Sequence, residues 1–171
     1  MTERLREKKR EFEPKETLYD MSGRVFGDIV KRREEGKVVI KYDDVAFEQN
    51  RQGFIKFLQH RPDWDKVGAP GWYIFINRIH KQSGKHIHQG GLVILVLDGE
   101  GYTVVDGERY DWEEGDLIVL PIKPGGVEHQ HFNKDPNRPA DWIAFDYRVM
   151  REIINSARNQ VEEHPDWVKP K

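Results

Sequence analysis

The sequence contains no cysteine, so disulfide bonds and thiolate metal ligands are both excluded. Any metal must therefore be held by histidine, carboxylate or water. The chain also lacks an apolar run of about 18 residues, the length needed to span a bilayer, and its charged N-terminus does not resemble a secretory signal peptide. We therefore expect a soluble, cytoplasmic protein.

The net charge is small, at −2, and basic residues are interspersed with acidic ones throughout the chain. This pattern argues against a nucleic-acid-binding or membrane-binding surface and favours small-molecule partners. The length of 171 residues is typical of one domain. Eight Phe, six Tyr and five Trp supply large apolar side chains for its core.

Short apolar segments alternate with glycine turns through the middle of the chain. Strands are predicted at 37–42, 53–59, 72–79, 86–88, 92–97, 101–105, 117–120 and 142–147. Asp106-Gly107 is the clearest hairpin turn. The connections are too short for crossover helices, which favours an antiparallel barrel or sandwich over a parallel α/β sheet.

Two helices are predicted to flank these strands. The first runs from Ser22, as N-cap, to about Glu35, closes at Gly36, and is expected to pack on the barrel exterior. The second covers 149–161 and presents an apolar side to the barrel or to a partner subunit. The charged residues 1–13 are expected to form a marginal helix or to be disordered.

The most informative feature is a pair of alternating histidine motifs, His86-Ile87-His88 and His129-Gln130-His131. A strand sends residues i and i+2 to the same face, so each motif can aim two imidazoles at one point. Imidazole is the commonest protein ligand for zinc, copper, iron and nickel. The pattern therefore predicts a metal-binding β-barrel.

Over residues 70–148 the chain resembles the cupin family. The first cupin motif is matched by His86, His88 and Gly99, and its glutamate position falls on Leu92. The second is matched by Gly115, Pro121, Gly126, His129 and Asn133, with a three-residue expansion within 122–125. The resemblance implies an all-β fold, an antiparallel cupin barrel (double-stranded β-helix or jelly roll) at 70–148. An N-terminal extension with a helix and accessory strands at 1–69 and a C-terminal helix and tail at 149–171 would flank it.

The resemblance also implies a metal site made of His86, His88 and His129, with open positions for substrate or oxygen. Such a site resembles the all-histidine ferrous centre of the gentisate and hydroxynaphthoate ring-cleaving dioxygenases. It implies a divalent metal. Fe(II) is the favoured ion, and Mn, Ni, Cu and Zn are the alternatives. Because three neutral ligands leave the metal charge uncompensated, it also implies a small anionic substrate that chelates the metal before oxidation or ring opening.

Three further residues, His131, Arg78 and Leu92, each have two interpretations that the sequence leaves open. His131 either orients the site and donates protons or bonds a carbonyl at the barrel rim. Arg78 either points into the barrel to bind a substrate carboxylate or extends to solvent, with Asn77 on the opposite face. Leu92 means either an altered metal site or a metal-free cupin, and a bulge near Gly126 would let Glu128 replace the missing carboxylate.

Two other function classes stay open. One is a non-catalytic small-molecule-binding or sensor cupin, and the other is a metal-dependent isomerase or lyase. We also expect a homodimer, formed through an exposed strand edge or through the apolar face of the C-terminal helix.

Overall fold

The computed structural model describes residues 16–89 and 91–170. Strands dominate it, and two helices flank them. The strands are β1 (Glu48–Asn50), β2 (Gly53–Gln59), β3 (Trp72–Ile79), β4 (Lys85–His88), β5 (Val93–Asp98), β6 (Glu100–Val105), β7 (Glu108–Glu113), β8 (Leu117–Val119), β9 (Val127–Asn133), β10 (Ala140–Tyr147) and β11 (Asn159–Glu162). The helices are α1 (Leu18–Glu35) and α2 (Arg148–Ile153), and the expectation for residues 1–13 lies outside the described residues.

The strands form two antiparallel sheets. The six-stranded sheet has the order β1-β2-β3-β10-β5-β8, and the five-stranded sheet has the order β11-β4-β9-β6-β7. Both sheets contribute to one apolar core, because Trp112 of β7 packs with Val96 of β5 and with Ala140 and Trp142 of β10. This confirms the predicted antiparallel all-β fold with a helix at either end of it.

Side-chain alternation along β10 defines the inward face of the larger sheet. Ala140, Trp142, Ala144 and Asp146 are buried, and the residues between them are only half-buried. A period of two is what a strand with one covered face shows. The last member of this inward row is a carboxylate, so the apolar core gives way to a polar region at that end.

The Asp106-Gly107 hairpin forms as predicted. Asp106 has φ 49° and Gly107 has φ 89°, the pair of positive values that a type I′ turn requires. The turn joins β6 to β7 in register, from Val105 opposite Glu108 to Glu100 opposite Glu113. The hairpin therefore builds the edge of the smaller sheet, although the charged sequence of β7 did not identify it as a strand.

Helix α1 differs from its prediction at its start and in its packing. It begins at Leu18, capped by Thr17, and the Ser22 hydroxyl instead donates to the Leu18 carbonyl oxygen at 3.0 Å. Gly36 does close the helix, through a hydrogen bond from its N–H to the Arg32 carbonyl. No residue of α1 is buried, and Phe26 is 68% exposed. The expectation that this helix packs on the barrel exterior is therefore corrected.

Two other predicted elements are corrected. Residues 37–42 do not form a strand, because Val38 and Val39 are exposed and Lys37 makes only an isolated bridge to Val67. The predicted helix at 149–161 is only the short α2, followed by Asn155 with φ 52° and then by β11. The open edge of β4 accounts for this change, because β11 pairs with it.

Neither helix of the described residues combines the length and apolar character needed to cross a lipid bilayer.

Candidate metal centre

Three histidines from two neighbouring strands converge inside the fold. His86 and His88 lie on one face of β4, and His129 lies opposite His86 on β9. All three are buried, and their ring centroids lie 4.2 to 5.1 Å apart. One ring nitrogen of each lies within 4.8 Å of those of the other two. The alternation of the two motifs has therefore produced a cluster that could hold a metal ion.

Backbone carbonyls hold two of these rings in a ligand-ready tautomer. His129 Nδ1 lies 3.1 Å from the Val127 carbonyl oxygen, and His88 Nδ1 hydrogen-bonds the Gln89 carbonyl oxygen. When Nδ1–H donates to a carbonyl, the lone pair stays on Nε2, as is usual in metal-ligating histidines. His129 Nε2 and His86 Nδ1 are buried without a hydrogen-bond partner. The donor set therefore fits a divalent metal.

Burial keeps the cluster neutral. Burial, followed by the neighbouring His129 ring and the Arg151 guanidinium, lowers the pKa of His88 to about 3. Burial also lowers the pKa of His129 to about 4 and that of His86 well below its ordinary value. Neutral imidazole is the form that binds metal, so the rings are ready to bind at physiological pH.

Leu92 occupies the position where the first cupin motif has glutamate. It is buried, at 4% exposure, and lines the same cavity as the three histidines. Glu128 does not replace it, because β9 pairs regularly there and sets Glu128 opposite Ile87, off the cavity. The suggested inward bulge is therefore absent from this strand.

His131 is held beside the cluster by a buried polar chain. Its Nδ1 lies 2.8 Å from Thr103 Oγ1, which accepts a hydrogen bond from the Trp112 indole N–H at 2.9 Å. His131 lines the cavity and lies 5.6 Å from His129 between ring centroids. Burial lowers its pKa well below the ordinary value. Its partner is a side chain in the interior and not a carbonyl at the barrel rim.

Arg78 does not reach the cavity. Its guanidinium donates to the carboxylate of Asp141 on β10, at 3.0 Å from Nε to Oδ1 and 2.7 Å from Nη2 to Oδ2. The alternation of β3 places Asn77, and not Arg78, on the inward face. The expectation that Arg78 binds a substrate carboxylate inside the barrel is therefore corrected, and the side chain forms a part-buried ion pair instead of extending to solvent.

The cavity around the histidines is small and is lined by both polar and apolar side chains. Its volume is about 40 Å³. Of the eight buried side-chain nitrogen and oxygen atoms without a hydrogen-bond partner in the described residues, six belong to residues that line it, namely Asn77, His86, His129, Trp142 and, with two atoms, Arg151. Buried polar groups are nearly always satisfied, so this concentration indicates a site for a polar ligand.

A cluster of charged side chains lines part of the cavity and was not identified from the sequence. Asp146, the last inward residue of β10, accepts hydrogen bonds from Arg151 of α2 and, at 3.5 Å, from Arg148. Arg158 also lines the cavity. One signal was present in the sequence: Asp146 continues the inward register of Trp142 and Ala144, and a carboxylate in such a row needs a buried partner.

Comparison with known proteins places the centre in a familiar domain. The cupin domain model matches residues 76–146. The chain is 41% identical over 59 residues to a gentisate 1,2-dioxygenase from Ralstonia, a match that covers 34% of this chain and 16% of that protein. It is 32% identical over 69 residues to an acireductone dioxygenase from Phaeosphaeria nodorum, covering 37% of this chain and 38% of that protein.

Among solved structures, the polyketide cyclase RemF from Streptomyces resistomycificus superposes with a TM-score of 0.53 at 18% identity, covering 78% of this chain and 87% of that one. At that identity the likeness concerns the fold. The matches to the two dioxygenases span well under two thirds of those proteins. They support a shared domain and do not show this chain's activity.

Proposed function

Because residues 76–146 form a cupin domain, we propose that this protein is a metal-dependent dioxygenase that acts on a small anionic substrate. His86, His88 and His129 would hold the metal, with Fe(II) as the proposed ion. When bound, the metal would supply the Lewis acidity and redox chemistry that bring an organic substrate and oxygen to reaction. The sequence similarity to two dioxygenases supports the oxidative reaction.

The observation that carries the proposal is the buried, neutral histidine cluster in a cavity where six buried polar atoms lack hydrogen-bond partners. A histidine cluster kept only for packing would satisfy its ring nitrogens within the protein. Here a buried nitrogen of His86 and another of His129 are left without a partner. Three neutral ligands also leave the charge of a divalent ion uncompensated, which favours an anionic substrate.

The surrounding residues have separate roles in this proposal. Leu92, Phe75 and Trp142 line the cavity and exclude water. If the Thr103 hydroxyl donates to Nδ1 of His131, the ring carries its proton on Nε2. His131 would then donate a hydrogen bond to substrate or hold a proton beside it.

The small cavity restricts the substrate. A volume of about 40 Å³ accommodates a few water-sized groups. A compact carboxylic acid fits with little adjustment, whereas a hydroxylated aromatic acid requires side chains at the mouth to move. The partly exposed Arg148 and the exposed Arg158 line the cavity and are less buried than Arg151, so they are the side chains that would move.

The test begins with metal content after anaerobic reconstitution with Fe(II). We expect near-stoichiometric iron in the wild-type protein and at least a tenfold loss in His86→Ala. The matched control is His80→Ala, which removes an exposed histidine outside the cluster. Equal trace iron in all three proteins would contradict the metal site.

Oxygen uptake then separates the function classes. We expect the iron-loaded protein to consume oxygen when given a substrate from a panel of hydroxylated aromatic acids and short hydroxy acids. Substrate turnover without oxygen uptake would replace the dioxygenase with an isomerase or lyase. Tight binding of a panel member without turnover would replace it with a sensor.

A further inference from the structure

The buried arginine of α2 has an unused hydrogen-bonding edge. The Arg151 side chain is 8% exposed, and its Nη1 donates to the buried carboxylate of Asp146. Its Nε and Nη2 atoms are buried without a partner. Arg151 lines the cavity that contains the three histidines. A buried guanidinium with free donors is costly, so this edge is expected to be filled when the site is occupied.

The geometry of the free edge specifies the chemistry of its ligand. Nε–H and one Nη–H of a guanidinium point in parallel and match the two oxygens of a carboxylate. Asp146 already occupies Nη1, which leaves the Nε–Nη2 edge for a second anion. A neutral carbonyl has one oxygen and could accept a well-aligned hydrogen bond from only one of the two donors, Nε–H or Nη2–H.

The charge balance of the cavity also favours an anion. Arg148, Arg151 and Arg158 line it, and among its described lining residues Asp146 is the single carboxylate. The cavity therefore carries an excess of positive charge before any metal binds. A divalent metal on three neutral histidines would increase that excess.

We infer that the Nε–Nη2 edge of Arg151 is a carboxylate subsite. The substrate would be a small carboxylic acid whose carboxylate binds Arg151 while its reacting end faces His86, His88 and His129. The orientation of the reacting end toward the histidines rests on the proposed dioxygenase function. The carboxylate subsite on Arg151 does not depend on that function. Arg151 lies beyond residues 76–146, so the matched cupin segment does not contain it.

The fold explains how a residue outside that segment reaches the site. Helix α2 follows β10 directly and begins two residues after Asp146, and the chain then returns as β11 to pair with the histidine strand β4. Gln89, next to His88, donates its N–H to Ser156 Oγ at 3.1 Å. The C-terminal segment is therefore attached on both sides of the cavity and holds Arg151 between them.

The test measures binding of acetate, a minimal carboxylate, and of acetamide, its neutral isostere. Saturation-transfer NMR on the full-length protein would give both dissociation constants, first without metal and then with Zn(II), at constant ionic strength. We expect saturable binding of acetate and at least tenfold weaker binding of acetamide. Arg151→Lys should weaken acetate binding at least tenfold, because lysine keeps the charge but not the planar fork.

Two controls keep the result interpretable. Arg109→Lys makes the same substitution on the exposed face of β7 and should leave acetate binding unchanged. Arg151→Gln should weaken acetate binding further than Arg151→Lys does. If the unpaired Asp146 carboxylate prevents the Arg151→Gln protein from folding, the acetate affinity of Arg151→Lys still tests the subsite. Absence of saturable acetate binding, or equal affinity in wild type and Arg151→Lys, would overturn the subsite.

The acetate-binding test of the subsite and the oxygen-uptake test of the proposed dioxygenase can fail independently. Arg151-dependent acetate binding in the metal-free protein would keep the subsite even if iron gives no oxygen uptake. Iron-dependent oxygen uptake with unchanged acetate binding in Arg151→Lys would keep the dioxygenase and remove the subsite.

Discussion

At the scale of single residues, Leu92 separates this centre from one with a carboxylate ligand. Its side chain is buried in the cavity wall next to three neutral histidines. A charged ligand there would compensate part of the metal charge and strengthen metal binding. It would also reduce the positive field that favours an anionic substrate.

We therefore predict that Leu92→Glu increases Zn(II) affinity at least tenfold relative to Leu92→Gln, which has similar size and no charge. The metal-free Leu92→Glu protein should melt at a lower temperature than wild type, because it buries a carboxylate without a partner. Competition with a chelator gives the affinities, and thermal melts with and without Zn(II) give the stabilities. Equal Zn(II) affinity in the two variants would show that position 92 does not face the metal.

Of the residues that line the site, the histidines could be predicted from the sequence and Arg151 could not. The histidine cluster follows from a local rule, since strand alternation places His86 and His88 on one face. Arg151 could not be found this way, because helical periodicity put the apolar residues Met150 and Ile153 on the side expected to be buried. In the structure both are exposed and Arg151 is buried. Which face of a short helix is covered depends on how it docks, and that is a tertiary property.

At the scale of elements, prediction succeeded where apolar residues and turn residues agreed. β2 and β3 have the predicted bounds, because glycine or proline turns and β-branched or aromatic residues define them. β7 was missed because four of its six residues are charged, and it forms through the hairpin register. β11 was assigned to a helix because its pairing with β4 is a long-range interaction.

The close approach of β6 to its neighbours gives a prediction at this scale. A Cβ at Gly101 would overlap the Phe132 carbonyl oxygen and the Trp112 ring, well inside van der Waals contact. We expect Gly101→Ala to lower the free energy of unfolding by about 1–3 kcal/mol or more, as overpacking does. Gly23→Ala is the control, because nothing lies within 4 Å of a Cβ there and alanine favours the α1 helix. Urea denaturation would compare them, and a fully stable Gly101→Ala protein would contradict the packing of β6.

At the scale of the whole molecule, the fold encloses a cluster of polar groups beside its apolar core. Four histidines and the pair formed by Asp146 and Arg151 are buried and line one cavity. The apolar residues of α1 face outward instead, and Phe26 and Val25 are both exposed. The expected homodimer and cytoplasmic location stay predictions. Because burial lowers the pKa values of the histidines, we predict that the stability of the metal-free protein depends on pH.

Metal-free protein should lose stability as the pH falls below about 6.5, the ordinary histidine pKa. Above that pH the histidines are neutral in both states. Below it the unfolded chain binds protons that the native state excludes, because burial lowers the pKa of His88 to about 3 and that of His129 to about 4. Each such histidine lowers the free energy of unfolding by up to about 1.4 kcal/mol per pH unit until its native pKa is reached.

Urea denaturation of the metal-free protein between pH 8 and pH 4 would measure this slope, with His131→Asn as the comparison. Bound Zn(II) should raise the free energy of unfolding above pH 6.5 and lose this effect at lower pH, because protons compete for the ligand nitrogens.

His131 is fully buried and its pKa is lowered well below the ordinary value, so its removal should make the slope of stability against pH shallower, whatever it does to stability at pH 8. A slope that does not change in His131→Asn would mean that this ring is protonated inside the native fold. The polar chain through Thr103 and Trp112 would then be a proton-binding site and not a support for a neutral ring.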